Sequence, residues 1–131
     1  MKIGVDMNEN LMLALLVAAG GATGALLRFS VTMLMPPMEG IAWNTLFVNF
    51  MGSLLITLIF YGIDMDITTR MFLFTGVFGA FTTMSAISLE TVELYATGAF
   101  GTAVMNFLLN VSLCIGGGFA GRFLALTFFP G

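Results

Sequence analysis

Two lines of polar side chains run through otherwise apolar sequence. Thr45, Asn49, Ser53 and Thr57 recur every fourth residue in one segment, and Thr102, Asn106, Asn110 and Cys114 do so in another. Residues four apart stack on one face of a helix, so each line predicts a narrow polar stripe on an apolar rod. Such groups can glue helices together, at about 1 kcal/mol per bond in lipid. Asparagine demands more, because its amide has two donors and a carbonyl to satisfy. Burying it unpaired costs roughly 2–7 kcal/mol. Two complete stripes therefore fit the walls of a narrow polar pathway. Their amide, hydroxyl and thiol groups carry no formal charge. Uncharged donors suit a small anion, replacing its water without trapping it. They suit water or a small polar solute as well, so the stripes alone leave the substrate open.

A third segment contains Gly76, Gly79, Thr82, Thr83 and Ser85 in close succession. Two glycines followed by β-branched threonines weaken a helix, which predicts a break in the middle of this span. Unwound backbone at membrane depth is tolerated inside protein or beside a water-filled cavity. Carbonyls freed at such a break can coordinate a cation. The competing arrangement is a continuous helix whose threonines and serines bond back to their own carbonyls. Further along lie Glu90 and Glu93, and Arg28 stands near the end of an earlier apolar segment. An acid within a span marks a functional site by default, unless it sits at the aqueous end. Arg28 can snorkel to the interface or pin a pore mouth.

The elements that must position these residues are membrane helices. Of 131 residues, 59% are hydrophobic and 8% charged, against about 25% charged in a soluble domain. So few charges suit a surface solvated by lipid. Spans of about 20 residues are predicted over roughly 11–35, 41–63, 71–96 and 99–129, in a single membrane domain. Pro36, Pro37 and Glu39 stop the first span. Asp64, Asp66 and Arg70 mark the second turn, and Gly98 marks the third. The apolar stretch Leu11 to Ala22 is preceded by Asp6 and Glu9 as well as Lys2, which reads as a first span and not a signal peptide. Short loops predict neighbouring helices in an up-down-up-down order. Gly20 with Gly24, and Gly117 with Gly121, offer close helix approach.

Lys2, Arg70 and Arg122 then share one side and Arg28 lies near the other. This is a slight bias, compatible with either a single orientation or both. Cys114 is the only cysteine and histidine is absent, so no intrachain disulfide forms and the commonest general base and metal ligand is missing. Nothing in the charge pattern points to nucleic acid.

At this point the chain resembles the Fluc (CrcB-type) family of small fluoride channels. The resemblance covers about Leu11 to Leu126. It is carried by Gly20-Gly21-Ala22-Thr23-Gly24-Ala25-Leu26-Leu27-Arg28-Phe29, by Asn44-Thr45-Leu46-Phe47-Val48-Asn49-Phe50-Met51-Gly52, and by the run from Gly76 to Glu90. It implies an all-α membrane protein of four helices, assembled as an antiparallel dual-topology dimer with two fluoride pores. The implied partner is a second copy or a related chain, and the implied place is the cell (inner) membrane. Implied pore-lining residues are Asn49, Thr45, Thr83, Met84, Ser85, Ile87, Asn106, Asn110 and Cys114. Arg28 and Glu90 would belong to a vestibule. The backbone carbonyls of Gly79 and Thr82 would hold a structural sodium ion at the dimer centre. The family usually has Phe at the positions of Met84 and Ile87, where ring edges face the anion. Here the pore would conduct differently, or Phe78 and Phe81 would partly substitute, or the chain would be a degenerate partner in a heteromeric channel.

Three other readings compete. A small multidrug-type exporter wants a carboxylate within its first span, and Leu11 to Met35 has none. A non-transporting subunit would bury its stripes against helices. An enzyme lacks histidine, a metal cluster and a phosphate loop.

Overall fold

The computed structural model describes residues 7–35 and 40–129. Pro36, Pro37 and Glu39, expected to stop the first span, lie outside the described residues, as does Lys2. All regular elements among the described residues are helices: α1 (Met7–Leu34), α2 (Trp43–Gly62), α3 (Ile67–Arg70), a π-helical run (Met71–Phe78), α4 (Gly79–Phe81), α5 (Met84–Ala96) and α6 (Phe100–Phe128). Four stretches are long and apolar enough to cross a membrane: α1, α2, the composite Ile67–Ala96 and α6. Large side chains such as Leu26, Phe119 and Phe123 are exposed, as lipid solvation allows.

Two ends depart from the sequence reading. The first helix is already formed at Met7, a turn before Leu11. The third span starts at Ile67, not 71, because Asp66 caps it: its side chain accepts from the Thr69 N–H at 3.0 Å. Gly98 ends α5 as expected, with φ +83°. Ala99 N–H donates to Leu94 O and Gly98 N–H to Tyr95 O, the paired closure of a Schellman cap.

The closest packing joins alternate spans, not sequence neighbours. α1 lies on the π-helical run and α4, while α2 lies on α6. A β-carbon on Gly20 would stand 2.3 Å from Phe72 O, and one on Gly24 2.0 Å from Val77 O. A β-carbon on Gly117 would stand 2.9 Å from Phe50 O, and one on Gly121 2.2 Å from Leu54 O. In both seams rising numbers meet rising numbers, so each pair of spans is parallel. Only residues without a side chain let the backbones meet this closely. The π-helical run lies in one of these seams, and the sequence reading had no signal for it.

Candidate functional site

The site grows from three elements meeting around Thr82 and Thr83. These two residues, between α4 and α5, are extended: Thr82 has φ −76° and ψ 155°, Thr83 φ −151° and ψ 113°. Asn49 of α2 holds this point. Its Oδ1 accepts from the Thr83 N–H at 2.7 Å, and its Nδ2 donates to the Thr83 carbonyl at 3.1 Å. Thr83 Oγ1 in turn caps α5, accepting from the Ala86 N–H at 3.1 Å, and lies 3.1 Å from Ser85 Oγ.

From Asn49 a chain of side-chain bonds runs along α6 to Glu90. Asn49 Nδ2 donates to Asn110 Oδ1 at 3.3 Å, and Asn110 Nδ2 donates to the Asn106 carbonyl at 3.0 Å. Asn106 Nδ2 then reaches Glu90 Oε2 at 3.5 Å and Thr91 Oγ1 at 3.4 Å. The Thr45 hydroxyl donates to the other carboxylate oxygen of Glu90. Each of the three amides gives one N–H to the next link, and the chain ends on the Glu90 carboxylate, which only accepts. The contacts 49 with 83 and 45 with 90 set α2 antiparallel to the third span. No buried side-chain nitrogen or oxygen among the described residues lacks a partner.

Three clefts follow this chain. The first, of about 270 Å³, is lined by Gly40, Ile41, Glu90, Glu93, Leu94 and Thr97 among others, at the end of the bundle bearing the α5–α6 turn. The second, of about 240 Å³, contains Arg28, Thr32, Asn44, Thr45, Thr83 and Glu90. The third, of about 270 Å³, contains Asn49, Ser53, Thr83, Met84, Ile87 and Cys114. Glu90 is common to the first two and Thr83 to the last two, so the clefts follow one another into the depth of the bundle.

The sequence-predicted residues divide accordingly. Asn49, Thr45, Thr83, Met84, Ile87 and Cys114 line these clefts, and so do the vestibule residues Arg28 and Glu90. Asn106 and Asn110 are 0% exposed and line none of the three. In a single chain they are links in the bonded chain. Ser85 is exposed beside Met84. Thr57, at the end of the α2 stripe, bonds back to the Ser53 and Leu54 carbonyls of its own helix. Sequence reasoning did not pick Ser53 or Ile56 as site residues. Ser53 was visible as a stripe member, while Ile56 had no signal because apolar lining looks like any lipid-facing residue.

Among the described residues no cluster of His, Cys, Asp or Glu side chains suits a metal. Backbone oxygens are the alternative. The Thr83 N–H, which in an α-helix would bond the Gly79 carbonyl, goes to Asn49 instead. The Ala86 N–H, which would bond the Thr82 carbonyl, goes to Thr83 Oγ1. Both carbonyls thus lose their helical donors, and Gly79 is exposed on the surface of the chain. Hard oxygen donors of this kind fit a hard monovalent cation.

Comparison with known proteins finds relatives of this chain by sequence. The family model described as CrcB-like protein, Camphor Resistance (CrcB), matches residues 15–122. The chain is 42% identical over 107 residues to a protein of Aeromonas salmonicida named fluoride-specific ion channel FluC, covering 77% of this chain and 86% of the relative. A protein of the same name from Agrobacterium fabrum is 38% identical over 120 residues, 87% of this chain and 96% of the relative. A third, from Thermococcus kodakarensis, is 38% identical over 120 residues, 88% of this chain and 98% of the relative.

Proposed function

The chain belongs to the CrcB family, and from that premise we propose that its row of clefts is one wall of a passive, fluoride-selective conduction path. The protein is a fluoride channel of the plasma membrane, crossing it several times, and not an enzyme. The relatives' names do not favour the exporter or the degenerate-partner reading. The observation that carries the proposed path is the sharing of Glu90 and Thr83 between successive clefts lined largely by uncharged groups.

In this reading fluoride enters hydrated past Glu93 and Thr97 and sheds water at the vestibule of Arg28 and Glu90. Arg28 offsets the Glu90 carboxylate in the second cleft, so an anion meets no net negative wall there. Beyond Thr83 the ion passes Ser53 and Cys114, with Met84 and Ile87 beside it. Met84 is 57% exposed and Ile87 3%, so Met84 belongs to the open face and Ile87 to the packed floor. Asn106 and Asn110 stand behind the wall and hold it.

The path is completed by a second copy of the chain inserted antiparallel to the first. Support comes from the extended Thr82–Thr83 backbone beside exposed Gly79, Met84 and Ser85. Irregular backbone at membrane depth must be covered by protein or line a cavity. The Gly79 and Thr82 carbonyls of both copies would hold a sodium ion there. When bound, it supplies positive field that offsets fluoride dehydration.

The test is fluoride efflux from liposomes holding this purified chain alone, with chloride as control. Fast fluoride-selective efflux is expected. Its absence from folded protein would overturn the self-sufficient channel.

A further inference from the structure

We infer that Asn49 is a positioning residue, holding the extended segment of the third span in place, and is not a donor to the passing ion. This rests on the conduction path proposed above for its functional consequence, but not for its geometry. Asn49 is 3% exposed. Its amide orientation follows from chemistry: the Thr83 N–H can only donate, so it must face Oδ1, which turns Nδ2 toward the Thr83 carbonyl. The second N–H of Nδ2 is committed to Asn110 Oδ1. Asn110 cannot turn over to release it, since its own Nδ2 is held by the Asn106 carbonyl.

Both donors of Asn49 are therefore used, and the group left free is a lone pair on Oδ1. That has the wrong polarity for an anion. The bond to the Thr83 N–H stands in for that group's helical partner, and the bond to the Thr83 carbonyl adds to the first turn of α5, which Thr83 caps. Together they keep Thr83 extended and thereby keep the Gly79 carbonyl out of helical pairing. A side chain on α2 thus determines the conformation of a backbone segment 34 residues away in sequence.

The test uses the full chain in detergent micelles, by solution NMR, observing the Thr83 amide and backbone carbon shifts. Ser53→Ala serves as control, being one turn along the same stripe and in the same cleft. In the wild type, the Thr83 amide should exchange slowly while its shifts report extended backbone. Asn49→Ala should speed that exchange at least tenfold and move the Thr82 and Thr83 shifts, with α2 and α6 unchanged. Ser53→Ala should do neither. Slow exchange and extended shifts persisting in Asn49→Ala, with fluoride efflux lost, would overturn the inference and make Asn49 a direct ion ligand. Should Asn49→Ala not fold, the wild type decides: fast exchange or helical shifts at Thr83 overturn it. Failure of the channel reading is separable. It would show as no wild-type efflux with Thr83 still slow and extended.

Discussion

Gly24 and Val77 meet backbone to backbone: a β-carbon added at Gly24 would stand 2.0 Å from the Val77 carbonyl oxygen and 3.0 Å from its α-carbon. The neighbour is main chain, so it cannot swing aside. Gly24→Ala must push α1 off the third span, and overpacking of this kind costs about 1–3 kcal/mol or more. Gly21→Ala should be silent, because a β-carbon there meets nothing within 4 Å. Melting temperature and folded yield in detergent check the pair. Equal behaviour of the two variants would remove this seam as a determinant of the fold.

Thr45 and Thr57 lie on the same stripe but do different work. Thr45→Val removes the hydroxyl that donates to Glu90 Oε1. An acceptor left unpaired in a partly buried site costs about 1–3 kcal/mol, and a released carboxylate opposes an anion in the second cleft. Lower melting temperature and slower fluoride efflux are expected. Thr57→Val loses only bonds to its own helix and should leave efflux unchanged.

The freed carbonyls of Gly79 and Thr82 predict a specific cation effect on stability. A ligand that binds only the folded protein raises its melting temperature with concentration. Replacing sodium by choline at constant ionic strength should lower the melting temperature of the purified channel. Identical melting curves in the two salts would count against the sodium site.

Asp66 predicts a modest acid sensitivity at the start of the third span. Hydrogen bonds from Thr69, then from its backbone, hold the Asp66 carboxyl below the usual carboxylate range. A carboxylate with a depressed folded pKa stabilises above its unfolded pKa and loses that contribution as pH falls through the folded value. Asp66→Asn keeps a capping oxygen but cannot titrate. The wild type should therefore lose stability relative to Asp66→Asn as pH is lowered through the carboxylate range, and show a constant difference above it. Parallel melting-temperature profiles at all pH would refute the cap's role.

Much of this protein is legible one residue at a time. Low charge and long apolar runs settle that the chain crosses a membrane several times, because lipid admits little else. The spacing of Gly20 with Gly24 and of Gly117 with Gly121 marks the seams, since small residues are what close backbones require. The fourfold spacing of Thr45, Asn49, Asn106 and Asn110 marks the polar faces, since helical periodicity is local. Glycine and threonine propensities likewise locate the weak point near Thr82 and Thr83.

What periodicity cannot convey is which partner each face meets. Short loops give the up-down-up-down order, which the parallel seams of α1 with the third span and of α2 with α6 fit, but they do not say that these alternate spans make the tightest contacts. The same stripe holds Asn49, which grips a distant backbone, and Thr57, which bonds its own helix, and nothing in their spacing separates them. Asn106 and Asn110 look like pore lining in sequence but are fully enclosed between helices in a single chain. A polar residue's spacing states that its hydrogen bonds must be satisfied. Whether an ion, a neighbouring amide or a main-chain group satisfies them depends on contacts between residues far apart in the chain, and only the tertiary structure decides those.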